Sequence, residues 1–406
     1  MENTYIVLAG KIVTVSEIGT VLNGALIVQN GKIAGVLEGD LAKKFFPSFP
    51  TFDFSDKVIT PSMVDCHTHL LEFAPGSLYP ITEETQLHAG SFILVKALMS
   101  GITGFGEQIC GHPQSLYSIT DYKNAVKELP LDIAFAATSI SIGFKSLAHF
   151  TSITKSQPVE KEDLIRARIL FKMAGESDYP GENLFLNATP ANFTKDVVPR
   201  AGELIYSEGE LKDIVRLFHS QGKEIGVHVA GEKGIDMALN TGVDVLHHAH
   251  GINDRQLQRA AENGVKVVAT PLGGTHIEPN SPEDILQLVH AGIETSIATD
   301  AYLPPYPDVD WLPYKDQSLK GPEVLMEISQ PSMKKLQENG CDENDILKLI
   351  TSNPAKLIGG ENKFGKLRPG MDANFIITEG IPGLEITNPE KIKSVYYHGK
   401  CVIKRD

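Results

Sequence analysis

Four cysteines in 406 residues, Cys66, Cys110, Cys341 and Cys401, are too few and too scattered for a disulfide framework, and no two form a CxxC metal knuckle. No apolar run approaches the ~20 residues that cross a bilayer. The opening stretch MENTYIVLAGKIVTVSEIG lacks the basic region and apolar core of a secretory signal, so the expected location is the cytoplasm. Basic residues are outnumbered, 37 against 51, for a formal charge of −14, and nothing favours binding a nucleic acid backbone. What remains, 42% hydrophobic and 22% charged, is the composition of an ordinary globular protein. Its expected partner is a small-molecule substrate, with neither nucleic acid nor membrane, and a homo-oligomer is compatible with the sequence.

The chain ends read differently from the middle. Tyr5–Leu8, Lys11–Val15, Ala25–Gln29 and Lys32–Val36 are short β-rich runs, with Asn-Gly at 23–24 and again at 30–31. Asn-Gly between apolar runs is the strongest short hairpin signal, so both pairs are read as turns. The same character returns at Asn374–Thr378, Ile392–Tyr397 and Cys401–Lys404, with His398-Gly399-Lys400 as a turn.

Between these ends strands alternate with amphipathic segments. The strand candidates are Met63–His69, Gly101–Glu107, Asp132–Thr138, Leu184–Thr189, Glu224–Ala230, Val243–Ala249, Lys266–Pro271 and Thr295–Asp300. Helical patterns occupy Thr82–Met99, Lys161–Ala174, Glu210–Ser220, Asp254–Glu262 and Pro282–His290. Gly222, Gly242, Gly264 and Gly292 fall just past helix ends, where a left-handed residue is wanted. Eight β/α repeats suit a (β/α)8 TIM barrel. The competing doubly wound sheet would normally carry a glycine-rich phosphate loop after its first strand, and none is present.

A barrel carries its chemistry at the C-terminal ends of its strands. Strand one ends His67-Thr68-His69, whose alternate side chains share a face. Strand five ends in His228, strand six in His247-His248 and strand eight in Asp300. Histidines and one carboxylate from independent repeats suit zinc, iron or manganese better than they suit a core. By strand parity His248 and His250 take one face, and His247 the other, where helices pack. The same parity turns Cys66 away from His67 and His69.

These residues resemble the amidohydrolase superfamily of metal-dependent hydrolases. The likeness lies in VITPSMVDCHTH, the histidine of GVHVAG, that of VDVLHHAHG, the aspartate of SIATDA and the tail TSNPAKLIGGENKFGKLRPGMDANFII. It covers essentially the whole chain. The resemblance implies a TIM barrel at 59–358 and a small composite β-sandwich domain built from 1–58 and 359–406. It implies His67, His69, His228 and Asp300 as metal ligands, Asp300 as the proton shuttle, and His248 as a second-metal ligand or a substrate contact. Two-metal members place a carboxylated Lys at the end of strand four. Here that slot falls to Phe185 or Asn187, which favours one divalent metal, zinc first and iron or manganese as alternatives. The region around strand five mixes features of the deaminase-like and dipeptidase-like branches.

Other residues belong to the same face. Glu107 ends strand two and is expected to project to the mouth, either to support a ligand histidine or to serve in a plain salt bridge. His112, His149 and His276 follow strands two, three and seven; His276 is the strongest because Gly273-Gly274 lets backbone approach a ligand. His250 could reach substrate, and the proline-rich loop from Leu303 to Trp311 could shape it or close over it. The expected reaction is hydrolysis of a carbon–nitrogen bond in a cyclic amide or amino-substituted heterocycle. The alternatives are a dipeptidase or N-acyl-amino-acid hydrolase, which needs a cation such as Arg200 for a substrate carboxylate, and a non-catalytic binding protein on the same fold.

Overall fold

A computed structural model describes residues 4–109, 117, 119–139, 181–187, 202–204, 206–220 and 222–405. The N-terminal part contributes strands β1 (Thr4–Val13), β2 (Thr20–Gln29), β3 (Lys32–Glu38) and β4 (Thr51–Pro61). The repeat region contributes β5 (Met63–Thr68), β6 (Ile102–Ile109), β7 (Asp132–Ser139), β8 (Gly181–Phe185), β9 (Glu224–Ala230), β10 (Val245–His250), β11 (Lys266–Ala269) and β12 (Thr295–Ile297). The last three are β13 (Phe375–Thr378), β14 (Ile392–Tyr397) and β15 (Lys400–Lys404).

Strands from both chain ends share one seven-stranded mixed sheet in the order β15-β14-β13-β4-β1-β2-β3. The join is β13 against β4, antiparallel, with Phe375 opposite Pro61. Across its face Tyr5 and Val7 pack with Phe375, Ile377 and Tyr396, and the Tyr5 hydroxyl donates to the Gly399 carbonyl. The 30–31 Asn-Gly pair forms the β2–β3 turn, with φ of 51° and 82° as a type I′ turn requires. The 23–24 pair does not turn the chain. Leu22 and Gly24 both pair with β1, and Asn23, at φ 47°, is a local kink inside β2. The reversal lies earlier, where the Thr14 N–H and hydroxyl both reach the Gly19 carbonyl.

The eight repeat strands form a second sheet in strict chain order, β5 to β12, each neighbour parallel. Its two outermost strands also approach one another through a parallel bridge between Thr68 and Asp300. Helices lie between strands at Glu83–Met99, Glu208–Ser220, Asp254–Glu262 and Pro282–His290, as the periodicity indicates, and also at Glu232–Thr241. Asn253 and Ser281 cap two of them through capping boxes. The four post-helix glycines are all left-handed, with φ from 67° to 83°. The candidate helix Lys161–Ala174 lies outside the described residues.

Small inward side chains fill the middle of this sheet: Val64, Cys66, Ala134, Ala136, Val245, Val268 and Ala298 pack together. Their neighbours in sequence, such as Met63, Phe105, Leu246 and Ile297, join the larger core on the helix side. That division sets which residues at the strand ends face one another. Among the described residues no helix is long and apolar enough to cross a membrane.

Candidate metal centre

Just beyond the small inward layer, β5, β9 and β10 and the loop after β12 bring four imidazoles and a carboxylate together. His67 lies with its ring centroid 4.6 Å from His228, 5.4 Å from His69 and 5.2 Å from His248. Oδ1 of Asp300 is 3.4 Å from His67 Nε2 and 3.5 Å from His69 Nε2. Two groups have ligand atoms mutually within 4.8 Å: His67, His69 and His228, and His67, His248 and Asp300. All five residues are buried.

Backbone geometry delivers these side chains. Asp300 is left-handed, φ 67°, and its N–H donates to the His67 carbonyl at 3.0 Å while its own carbonyl accepts from the His69 N–H at 3.2 Å. Asp65 lies beneath, accepting from the Thr299 hydroxyl and N–H, and burial pushes its carboxyl up to about 7. His248 and Ala249 are left-handed too, φ 71° and 51°. Non-glycine residues in this region cost of order 1–3 kcal/mol each and cluster where geometry is functionally constrained.

That turn overrides the parity assignment in HHAH. Val245 and His247 are the inward residues of β10, so His247 is not on the helix side. Its Nδ1 is 2.7 Å from His67 Nδ1 and its ring lies over His228, centroids 5.3 Å apart. His248, which regular parity would send outward, is swung in by its left-handed backbone.

His250 is buried away from the cavity, both ring nitrogens engaged. Thr270 is the hub. Its hydroxyl donates to the Gly273 carbonyl at 2.8 Å, so its oxygen accepts from His248 Nδ1–H at 2.8 Å and His250 Nε2–H at 3.0 Å. The Thr275 hydroxyl then donates to His250 Nδ1 at 2.7 Å. This leaves His248 Nε2 bare.

Burial holds the imidazoles of His67, His228, His247 and His248 well below the usual histidine value, and the crowded neighbouring rings act in the same direction. His69 is lowered by burial against the opposing pull of Asp300, and His250 is pushed down to about 4. A cluster of neutral imidazoles is what metal ligation requires. His67 Nε2 is buried with no hydrogen-bond partner among the described residues. An orphaned nitrogen beside a carboxylate and further imidazoles fits a divalent cation.

The accompanying cavity, about 150 Å³, is walled by Phe73, Phe185, Tyr302 and Leu303 around His69, His228, His248 and Asp300. Gly274 closes one side. A Cβ there would fall 2.3 Å from Asp300 Oδ2 and 2.9 Å from His248 Cε1, so only glycine leaves the carboxylate clear. Tyr302 is fixed by its hydroxyl, which donates to Glu323 at 2.7 Å. In the strand-four slot, Phe185 stacks on His228 with centroids 3.9 Å apart, while Asn187 bonds the Ala230 N–H and the Gly202 carbonyl.

Several expected residues lie elsewhere. Glu107 shares the helix-side face of Phe105 and Ile109, accepts from Thr68 Oγ1 at 2.7 Å and the Leu71 N–H at 2.8 Å, and bonds no ligand histidine. The next residue, Gln108, which no motif in the sequence singles out, is the inward one, within hydrogen-bond distance of His67 and His228. His276 is exposed, against Gly202, and Trp311 is half-buried against the main core; neither lines the cavity. Cys66, expected outside the ligand set and turned from His67 and His69 by parity, is indeed no ligand but packs inward with Val64 and Ala298 below the centre. His112, His149 and Arg200 lie outside the described residues.

A model of the amidohydrolase family matches residues 58–402. The chain belongs to this family. Among amidohydrolase relatives, it is 21% identical over 434 residues to the imidazolonepropionase of Fusobacterium nucleatum, covering 94% of this chain and 92% of that one. It is 22% identical over 327 residues to a 5-methylthioadenosine/S-adenosylhomocysteine deaminase of Bacillus cereus, covering 74% and 70%. A solved Xaa-Pro dipeptidase with bound methionine superposes with a TM-score of 0.72 at 16% identity, covering 98% and 99% of the two chains; at that identity the match speaks to fold.

Proposed function

We propose that this amidohydrolase is a metal-dependent hydrolase of a carbon–nitrogen bond in a small cyclic amide or amino-substituted heterocycle. One divalent metal, zinc in the first instance, is held by His67, His69, His228 and Asp300. The observation that carries the reading is the orphaned His67 Nε2, 3.4 Å from Asp300 Oδ1 and buried among neutral imidazoles. Phe185 in the strand-four slot supports a single ion, since it offers no ligand atom and its ring occupies the space beside His228. We read the eight-stranded sheet as a closed barrel at 59–358, supported by the Thr68–Asp300 bridge, and the two chain ends, 1–58 and 359–406, as one composite sandwich.

A divalent metal held by these residues would supply a Lewis acid, lowering the pKa of a water toward neutrality and polarising the scissile carbon. Asp300 accepts the proton of the attacking water and passes it to the leaving nitrogen, with Gly274 keeping Oδ2 clear for that transfer. His248, its Nδ1–H tied to Thr270, presents a bare Nε2 to the cavity and orients the attacking water or a substrate N–H. Phe73, Tyr302 and Leu303 exclude water and bracket a flat ring.

The test is a screen of zinc-reconstituted protein over cyclic amides, aminated heterocycles and dipeptides, following ammonia release and ring opening. Turnover of a heterocycle that is lost in His67→Ala supports the reading. Turnover of dipeptides alone overturns the substrate class.

A further inference from the structure

Tyr302, two residues after Asp300, lines the cavity and is itself buried. Three residues that do not line the cavity hold its ring. The Tyr302 hydroxyl donates to Glu323 Oε2 at 2.7 Å, and the other oxygen of that carboxylate accepts from Lys96 at 3.0 Å. The Lys96 ammonium lies 5.6 Å from the Tyr302 ring centroid. Gly321 is the third. A Cβ there would fall 2.4 Å from Tyr302 Cζ and 2.5 Å from its Cε2. The φ of Gly321, −135°, is extended backbone open to any residue, so it is the ring that excludes a side chain at 321.

We propose that Tyr302 is a specificity-determining residue, a fixed wall that limits the cavity to one small ring, with Gly321, Glu323 and Lys96 as the residues that position it. This rests on the reading of the cavity as the substrate site beside a bound metal.

A tyrosine held only by its backbone can move its ring between rotamers. Here the hydroxyl bond fixes the far end of the ring and the Gly321 slot receives its edge. Lys96 lies on the helix Glu83–Met99 and Glu323 on the short turn Pro322–Val324, so the anchor joins two separate elements. The segment between Tyr302 and that turn is pinned as well. Leu303 and Lys320 exchange backbone hydrogen bonds at 3.1 and 2.8 Å, and the Tyr306 N–H donates to the Leu272 carbonyl at 3.0 Å. The Tyr314 hydroxyl donates to Glu327 at 2.8 Å, repeating the Tyr302–Glu323 pair along the same stretch. A segment closed at its neck and bonded to its neighbours shapes the cavity rather than opening and closing over it. The cavity, about 150 Å³, is below the ~300–1,000 Å³ of ordinary ligand pockets. In so small a space the position of one aromatic wall decides which ring enters.

The test uses full-length zinc-loaded protein and two metal-binding probes of different width, acetohydroxamate and naphthalene-2-carbohydroxamate, titrated by calorimetry. The fused rings would gain affinity by burial wherever they fit, so a preference for the small probe reports exclusion. Wild type is expected to bind acetohydroxamate about tenfold more tightly than the naphthyl probe, and Tyr302→Ala to lower that ratio by roughly threefold or more. A smaller change, or a wild type that prefers the naphthyl probe, overturns the proposal and leaves the metal site standing. Glu323→Ala frees the hydroxyl and is expected to lower the ratio as well, while Glu323→Gln, whose amide oxygen still accepts from the hydroxyl, restores it. General loosening would weaken both probes alike and leave the ratio unmoved. Should Tyr302→Ala not fold, the two Glu323 variants decide: a ratio unmoved in Glu323→Ala overturns the proposal. Wild-type protein that retains no zinc, or retains zinc but binds neither probe, overturns the site reading and the proposal with it.

Discussion

Asp300 meets His67 at two points: its backbone N–H donates to the His67 carbonyl at 3.0 Å, and its Oδ1 lies 3.4 Å from His67 Nε2. One residue thus ties the last strand of the repeat region to the first and supplies the carboxylate. Asp300→Asn separates the two roles, because asparagine tolerates the left-handed backbone and keeps the N–H. Its kcat is expected to fall 10²–10⁴-fold, the usual worth of a positioned acid–base group, with a melting temperature close to wild type. Steady-state kinetics with thermal denaturation check both halves.

Thr270 holds His248 and His250 through a single oxygen. Thr270→Val is nearly isosteric but leaves two buried N–H donors without an acceptor, at roughly 1–3 kcal/mol for each unsatisfied group. We expect a clear drop in stability together with a loss of kcat, as His248 is freed to take its other tautomer. A variant with unchanged kcat would show that the Thr270 bond does not orient His248.

Gly274 has φ 110° and a Cβ position already claimed by Asp300 and His248. Gly274→Ala should abolish most turnover while the protein stays folded, since the clash lies on the functional groups. Wild-type kinetics in this variant would mean that Oδ2 has no catalytic role on that side.

Burial pushes the Glu107 carboxyl from 4.5 up to about 8. The folded state therefore holds a proton that the unfolded chain releases between those values. This contribution to stability is complete below pH 4.5 and is lost as pH rises toward 8, on the order of 1 kcal/mol per pH unit. Glu107→Gln removes the titration. Denaturant midpoints of the two proteins should converge on different pH slopes, the wild type losing more stability between pH 5 and 8. Parallel slopes would place the Glu107 pKa near its ordinary value.

Much of this organisation was legible because each strand end is a local signal. Seven of the eight repeat strands lie close to where the apolar runs place them, while the fourth, expected at Leu184–Thr189, runs Gly181–Phe185; the post-helix glycines mark true ends. Glu232–Thr241 escaped notice because Gly234 interrupts its pattern. The glycine is there for packing, since a Cβ would fall 2.8 Å from Val229 and 3.0 Å from the Asn187 side chain. The errors near the site share one cause, an inward phase assumed from the residue of interest. In β6 the small residues Gly104 and Gly106 face in and Phe105 and Ile109 face out, which puts Gln108 inside and Glu107 outside. Reading side-chain size along GFGEQI would have found Gln108. In β10 parity failed at His248, where two left-handed residues break the strand, and no period-2 argument anticipates that.

The most direct test of the account is anomalous diffraction at the zinc edge from crystals of the zinc-loaded protein. The account predicts one peak per chain, bonded to nitrogens of His67, His69 and His228 and to an Asp300 oxygen. Two peaks beside Phe185, or a single peak bonded to none of these residues, would contradict it.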